Sequence, residues 1–168
     1  KGAAEISLVN RLVGNAHIVK FSLDEFNYLA EGNINNFITF CFDRNCQLLI
    51  ITDGAKAIKY YTKLSKNTPK SVQPPAIKAI DTTAGGDGFI GGFLYTLSLF
   101  EQLEMIINNE NMLRKIIEFS AQCGAIAVGK LGAFPALATI DEVLCKLATQ
   151  HDPSPQNQVL SLDVFLRS

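Results

Sequence analysis

The sequence predicts a layered α/β fold in which helices flank a central, mainly parallel sheet. Two observations predict it. Short apolar runs of strand length alternate along the chain with longer segments whose apolar residues recur at helical spacing. The chain also has 168 residues, of which 48% are hydrophobic and 18% are charged, so it fits one domain that can bury a proper core.

The chain opens with a predicted helix, strand and helix in turn. Residues 6–13 are apolar at roughly helical spacing, and the β-rich segment 17–21 follows them. Ser22 stands at a plausible N-cap, with Glu25 three residues later, which is the pattern of a capping box. We therefore expect a short helix from this point to about Ala30.

The middle of the chain predicts a hairpin and a loop. A helix of weaker pattern covers 33–42, and the apolar run 47–52 predicts a buried strand. Residues 57–61 alternate and predict a second hairpin arm, because an Asp-Gly pair separates the two runs. The polar stretch 63–75 contains three prolines and predicts a loop with an edge strand, and 76–80 predicts a strand-like approach to a glycine cluster.

The second half of the chain is predicted to be mostly helical. A helix follows the glycine cluster over 85–100, and a long helix rich in Ala and Ile covers 111–128. Residues 131–135 predict a turn, a last helix starts at 139–142, and 152–157 is a linker-like break.

Bulk properties exclude several classes of function. The formal net charge is −1, so no basic field is available for a nucleic acid backbone. No apolar run approaches the roughly 18 residues of a transmembrane helix, and no secretory signal precedes the first strand. We therefore expect a cytoplasmic protein without nucleic acid or membrane partners. Its four cysteines are expected to be reduced core thiols: Cys41, Cys46, Cys123 and Cys145.

A cluster of small residues, Ala84, Gly85 and Gly86, lies between the strand-like approach and a helix. Small residues let backbone N–H groups approach an anion, and a helix N-terminus adds a positive dipole. Asp87 follows directly, and a carboxylate beside an anion site suggests proton acceptance from an attacking hydroxyl. An N-cap or first-turn Asp explains the same pattern, so the residues alone leave both interpretations open.

Fourteen consecutive residues, 81–94, read D-T-T-A-G-G-D-G-F-I-G-G-F-L. This segment resembles the C-terminal signature of the ribokinase-like (PfkB) carbohydrate kinases, whose usual form is D-T-T-G-A-G-D-A-F-x-G-G. Ala and Gly exchange places within the small-residue trio, and Gly88 replaces a common Ala. The resemblance implies that Asp87 is the catalytic base for a sugar hydroxyl. It also implies an anion hole for the transferring γ-phosphoryl group at Ala84, Gly85 and Gly86.

A segment that follows the predicted hairpin strand is similar to the T-x-G-x-x-G nucleotide segment of the same family. By this resemblance, the residues that bind nucleotide would be Thr52, Asp53, Gly54 and Ala57. Ala57 stands where the family often has Gly. Taken alone, an Asp-Gly pair between apolar runs is foremost a turn signal.

Three further nucleotide-side positions come from the resemblance. Ser22 and Glu25 match the family's N-x-x-E motif, which orients Mg²⁺-bound phosphate through water, although Ser22 replaces Asn. The capping box explains the same two residues and is compatible with that role. Ala121 would border the adenine, where Asn or His is more usual; without the resemblance, its helix would simply be a buried apolar one.

Relatives in this family often bind K⁺ beside the anion hole. Mapped onto this sequence, the ligands would be Asp81 and backbone groups of Thr83, Ala127, Lys130, Gly132 and Ala136. A lysine at position 130 is compatible with this site, because the carbonyl would coordinate. Asp81 could instead merely stabilise its turn.

The resemblance implies ATP-dependent phosphorylation of a sugar hydroxyl with Mg²⁺ and K⁺. The stretches 132–137 and 139–143 look most like bacterial and plant fructokinases, so fructose is the expected acceptor. The alternatives are ribose, a nucleoside or a sugar phosphate as acceptor, or a non-catalytic nucleotide-binding domain. In this reading 1–150 is the C-terminal, nucleotide-binding half of a ribokinase-like kinase, and 151–168 is an extension that could dock on a surface. The absent N-terminal half would supply most sugar contacts and the interface of a homodimer, so we expect a fragment of a larger protein.

Overall fold

The computed structural model describes residues 3–151 and 161–167. The chain divides into two compact units, Lys1–Gln73 and Pro74–Ser168. The first unit is a sheet with helices, and the second contains helices and loops but no strand in its described residues. Within the described ranges, no helix has the length and apolar character needed to cross a bilayer.

The first unit confirms the predicted α/β class. Its elements are, in order, α1 (Ala3–Asn15), β1 (Ile18–Ser22), α2 (Leu23–Ala30), α3 (Ile34–Phe42), β2 (Leu48–Asp53), β3 (Lys56–Thr62) and β4 (Lys70–Val72). The sheet order is β1-β2-β3-β4. Only β1 and β2 pair in parallel, and the other two pairs are antiparallel, so the sheet of this chain is mixed rather than mainly parallel. Short connections after β2 and β3 reverse the chain and force antiparallel pairing.

The core of the first unit fixes the end of strand β2. An aromatic cluster forms where Phe21, Phe26 and Phe37 meet, with ring centroids 5.6–6.4 Å apart. Residues 48–51 of β2 are buried, so both faces of this strand are covered. Such a continuous apolar run is typical of a strand next to a parallel neighbour. The buried strand therefore holds in place the point at which the polar residues after it begin.

The second unit contains five helices in its described residues: α4 (Gly85–Leu97), α5 (Leu103–Ile107), α6 (Glu110–Val128), α7 (Ile140–His151) and α8 (Leu162–Arg167). The helices expected at 85–100, 111–128 and after 139 are confirmed, although α4 ends three residues early, at Leu97.

The strand expected at 76–80 is wrong. Pro74 and Pro75 have no N–H to give to a ladder. The N–H groups of Ile80 and Asp81 instead donate to the carbonyl of Val128, at 2.8 and 3.2 Å. The approach to the glycine cluster is therefore held by the end of α6.

The tail docks as α8 in its described part. Phe165 and Leu166 are buried, and α8 packs against α6, where the Lys115 Nζ atom lies 4.8 Å from the centroid of the Phe165 ring. Val164 is exposed. Val159, Leu160 and the linker-like break at 152–157 lie outside the described residues.

Three of the four cysteines lie in the core, as predicted, and burial raises their pKa values. The pKa of Cys41 and Cys123 is raised to about 12 and that of Cys46 to about 11. All four cysteines are free, as expected, but Cys145 is exposed rather than in the core.

Helices α4 and α6 pack so closely that some glycine positions between them have no room for a Cβ atom. A Cβ atom at Gly124 would lie 2.8 Å from the carbonyl oxygen of Gly85, and one at Gly92 would lie 2.6 Å from the Cys123 Sγ atom. Contacts shorter than about 3.5 Å between such atoms are repulsive. Glycine is therefore required where the two helix backbones approach each other.

We expect Gly124→Ala to lower the free energy of unfolding by roughly 1–3 kcal/mol, because its new methyl group would collide with backbone that side-chain rotation cannot move. Gly91→Ala is the matched control, since Gly91 is exposed on α4 and, apart from its chain neighbours and the nearby backbone of α4, its Cβ would meet no described atom within 4 Å. That control should be neutral or stabilising by up to about 1 kcal/mol. Urea unfolding measures both, and equal stability of the two variants would contradict the close-packing argument.

Candidate active site

The N-terminus of α4 presents unpaired backbone donors. The first helical hydrogen bond runs from the Gly88 N–H to the Ala84 carbonyl at 2.8 Å, and the Gly85 N–H donates to Thr82 at 3.3 Å. Within the described residues, three N–H groups here have no intramolecular acceptor: those of Ala84, Gly86 and Asp87. Of the trio that sequence reasoning proposed as an anion hole, two therefore have free N–H groups, and Asp87 adds a third.

Asp87 lies in the first turn of α4, exposed to solvent. The N-cap residue of this helix is Ala84, so of the two structural interpretations of Asp87 the N-cap is wrong and the first-turn position is confirmed. In the part of the chain that the structure describes, no hydrogen bond or ion pair engages its carboxylate. A carboxylate beside free backbone donors is available to accept a proton from a group held there.

Asp81 ties two segments together. Its Oδ1 atom accepts the Thr83 N–H at 3.0 Å, and its Oδ2 atom accepts the Gly132 N–H at 3.1 Å. Hydrogen bonds from Thr83, and then from Gly132, hold the pKa of Asp81 below its ordinary value because they favour the charged form. The side chain does stabilise its turn, as the sequence allowed, and it also anchors the loop after α6.

The loop after α6 brings most of the predicted cation ligands together. Gly132 has a φ of +91°, which disfavours any side chain. The buried methyl group of Ala136 packs with those of Ala84 and Ala127, which places the loop beside the start of α4. Lys130 points its ammonium to Glu142 instead of to this cluster, with Nζ–Oε1 at 2.8 Å.

The donor set at this loop fits a large monovalent cation. Among the described residues, no hydrogen bond occupies the carbonyl oxygens of Thr83, Lys130 or Gly132, so these remain available. The Ala127 carbonyl accepts the Lys130 N–H at 3.2 Å, and both Asp81 oxygens already bind backbone N–H groups. Each of these oxygens has a second lone pair. No cluster of three His, Cys, Asp or Glu side chains is present in the described ranges, so carbonyls dominate the candidate site.

Ala121 lies on α6 and is only 4% exposed. The structure gives no support for a contact between this methyl group and adenine. The assignment remains a prediction based on resemblance.

In the first unit, the two motifs predicted on the nucleotide side are neighbours. Ser22 pairs with Thr52 in the parallel register of β1 and β2, and the Thr52 hydroxyl donates to the Phe21 carbonyl at 3.3 Å. The carboxyl ends of parallel strands meet at one edge of a sheet, which is a common ligand-binding place. The strand pairing therefore brings together residues that are 30 positions apart in sequence.

The capping box of α2 is confirmed. The Ser22 N–H donates to the Glu25 Oε2 atom at 2.7 Å, and the Glu25 N–H donates to the Ser22 Oγ atom at 3.2 Å. Hydrogen bonding from the Ser22 backbone, aided by its hydroxyl and by Lys20, holds the pKa of Glu25 below its ordinary value. Within the described part of the chain, the Oε1 atom has no partner and could accept a hydrogen bond from water.

The Asp-Gly pair forms the hairpin turn that the sequence indicates. Gly54 has a φ of +53°, as glycine at the first central position of a two-residue hairpin often does. Asp53 pairs with Lys56 at 3.0 Å across the turn. Ala57 lies in β3 and is half-buried. Turn formation thus explains Asp53 and Gly54, and their contact with nucleotide stays a prediction.

Sequence reasoning missed Glu142. Its Oε2 atom accepts the Thr139 N–H at 3.0 Å, and its own N–H donates to the Thr139 hydroxyl at 3.3 Å. The pattern T-x-x-E was a readable capping-box signal. The ion pair with Lys130, twelve residues earlier, could not be read from spacing.

Comparison with known proteins decides the family. The pfkB family carbohydrate kinase pattern matches residues 4–140. The chain belongs to the pfkB family. The match extends over parts of both units and includes every sequence-predicted site residue from Ser22 to Ala136.

Relatives within the pfkB family include fructokinases. The chain is 38% identical over 139 residues to Fructokinase-2 of Oryza sativa subsp. japonica, which covers 79% of this chain and 39% of that protein. A fructokinase from Xylella fastidiosa, solved with bound ATP, has a TM-score of 0.84 at 30% identity and covers 90% of this chain and 48% of that one. A double mutant of Vibrio cholerae fructokinase was solved with fructose, ADP and potassium ion. It has a TM-score of 0.72 at 31% identity, and the match covers 83% of this chain and 43% of that one. The chain thus spans less than half the length of each of these proteins.

The capping box yields a pH prediction. Because the folded-state pKa of Glu25 lies below its ordinary value of 4.5, its contribution to stability is present above that value and is lost as the pH falls through the folded-state pKa. Glu25→Gln keeps the box but does not titrate, so its free energy of unfolding should fall less steeply below about pH 4.5.

Urea unfolding between about pH 3 and pH 7 measures this slope. Asp24→Asn is the matched control, because it removes a charge from the same first turn without touching the box. Equal slopes for the two variants would show that the hydrogen-bonded carboxylate is not responsible.

Proposed function

We propose that this chain carries the phosphoryl-transfer site of an ATP-dependent sugar kinase, with fructose as the acceptor. The observation that carries the proposal is the pairing of free backbone donors at the start of α4 with the unengaged carboxylate of Asp87. Transfer of a phosphoryl group needs both a place for negative charge and a base for the attacking hydroxyl.

The proposed reaction uses these groups directly. The sugar hydroxyl oxygen bonds to the γ-phosphorus of ATP while the bond between that phosphorus and the β,γ-bridging oxygen breaks. Asp87 accepts the hydroxyl proton, and ADP leaves with the bonding electron pair. Backbone N–H groups at the start of α4, with the helix dipole behind them, stabilise the charge on the transferring group.

Two cations complete the proposal. Mg²⁺ would neutralise charge on the ATP phosphates, and Glu25 would orient it through water bound to the free Oε1 atom. K⁺ would be held by Asp81 and by the carbonyls of the loop after α6, where it would support the anion site electrostatically. The potassium in the solved Vibrio cholerae fructokinase supports this part.

The acceptor is argued from relatives. The rice, Xylella fastidiosa and Vibrio cholerae proteins are all fructokinases. Resemblance assigns most sugar contacts to residues outside this chain, so fructose remains a proposal, as do a homodimer and a cytoplasmic location. The alternatives are ribose, a nucleoside or a sugar phosphate.

We expect Asp87→Asn to lower kcat by about 10²–10⁴-fold, because the amide cannot accept the hydroxyl proton. The affinity for ATP should stay nearly unchanged. Asp141→Asn, in the exposed first turn of α7, is the control and should keep its activity. Steady-state kinetics and calorimetry with a non-hydrolysable ATP analogue, in the full-length protein, make the test. Near-normal turnover of Asp87→Asn would refute the role of the base.

We expect the full-length protein to phosphorylate fructose with a higher kcat/KM than ribose, nucleosides or sugar phosphates. A coupled assay for ADP across such a panel measures this preference. Activity on ribose or a nucleoside with none on fructose would keep the kinase mechanism but replace the acceptor. Binding of nucleotide without transfer to any acceptor would favour the non-catalytic alternative.

A further inference from the structure

The loop between α6 and α7 carries three carbonyls of the proposed cation site, and three contacts hold it. The Gly132 N–H is fixed by Asp81 at 3.1 Å, and the Ala136 methyl group is buried against the start of α4. The third contact joins Lys130, at the beginning of the loop, to Glu142 on α7. The first two contacts involve residues that already belong to the site, but Glu142 does not.

We propose that Glu142 is a positioning residue for the cation site, acting through Lys130. Its carboxylate fixes the beginning of the loop and neutralises the ammonium of a residue whose carbonyl would coordinate K⁺. The inference rests on one part of the proposed function, the K⁺ site, and does not depend on the acceptor or on Asp87.

The geometry gives Glu142 two tasks at once. The Lys130 Nζ atom donates to both carboxylate oxygens, at 2.8 Å to Oε1 and 3.0 Å to Oε2. Oε2 also accepts the Thr139 N–H at 3.0 Å, at the other end of the loop. One carboxylate therefore joins both ends of the segment 130–139. Fixing a loop in its binding conformation reduces the entropy that binding must otherwise remove.

Charge gives a second reason. An ammonium on a cation-coordinating residue repels the bound cation, although solvent screens part of this repulsion because the Lys130 side chain is 37% exposed. The carboxylate of Glu142 cancels that charge at contact distance. The side chains of Lys130 and Glu142 are 37% and 43% exposed, so the pair alone should contribute little to folding stability. Its effect is expected on the affinity for K⁺.

The chain offers a selective variant and a matched control. Glu142→Gln removes the charge that faces Lys130, but Gln can still complete the capping box with Thr139. Asp141→Asn removes a neighbouring charge from the same first turn, where no described contact engages the Asp141 side chain. Lys130→Met removes the ammonium and leaves the carbonyl in place.

The experiment titrates the full-length protein with KCl at constant ionic strength, balanced with choline chloride. Two readouts are followed: the Tm, which needs no turnover, and the rate of ADP formation. We expect Glu142→Gln to raise the K⁺ concentration at half-effect about tenfold in both readouts, as loss of an outer partner of a metal site does. Asp141→Asn should match the wild type. In the Lys130→Met background, Glu142→Gln should have no further effect, because its partner is already gone.

Three outcomes would overturn the inference. Glu142→Gln could keep the wild-type half-effect concentration, it could lower the Tm equally at every K⁺ concentration, or the wild-type protein could show no dependence on K⁺. If the wild-type protein shows no dependence on K⁺ but still forms ADP in the presence of sugar, the proposed phosphoryl transfer is retained and only this inference fails. Conversely, a K⁺-dependent Tm that Glu142→Gln weakens, in a protein without kinase activity, would support this inference while the proposed function fails.

Discussion

Helices α4 and α6 approach each other so closely that several positions at their contact have no room for a Cβ atom. Gly124 faces the Gly85 carbonyl, and Gly92 faces Cys123. This approach places the end of α6 beside the start of α4, so the Val128 carbonyl can take the N–H groups that lead into the glycine cluster. The free donors at the start of α4 and the loop after α6 both depend on that contact.

Three carboxylates hold backbone segments in place, two of them in the second unit and one in the first. Asp81 and Glu142 each accept hydrogen bonds from backbone N–H groups, and Glu25 does the same in the first unit. In all three, hydrogen bonding lowers the pKa, because it favours the ionised form. By contrast, no described partner engages Asp87. Asp81 and Asp87 belong to the same short motif, but their contacts distinguish them. Asp81 positions backbone, whereas the carboxylate of Asp87 is available for chemistry.

Local patterns predicted most elements of the fold. The capping box at Ser22, the hairpin turn at Gly54 and the long apolar helix all rely on residues within a few positions of each other, and all are confirmed. The prediction of a strand at 76–80 was wrong because the local sequence does not show where the backbone N–H groups of this segment bind. Those of Ile80 and Asp81 donate to the end of α6, almost 50 residues later in the chain. The hairpin at 57–61 was predicted, but the sheet as a whole was expected to be mainly parallel; it is mixed because the connections after β2 and β3 are too short for a parallel crossover.

By itself, the sequence determined the family, since the D-T-T-A-G-G-D motif is contiguous, and it named candidate site residues, whose small side chains let backbone approach an anion. The residues alone left Asp87 open between an N-cap or first-turn Asp and a catalytic base. The tertiary structure decided that Ala84 is the N-cap, that Asp81 holds Gly132, and that Glu142 holds Lys130. These contacts join residues that are distant in sequence, and only packing determines which side chains meet.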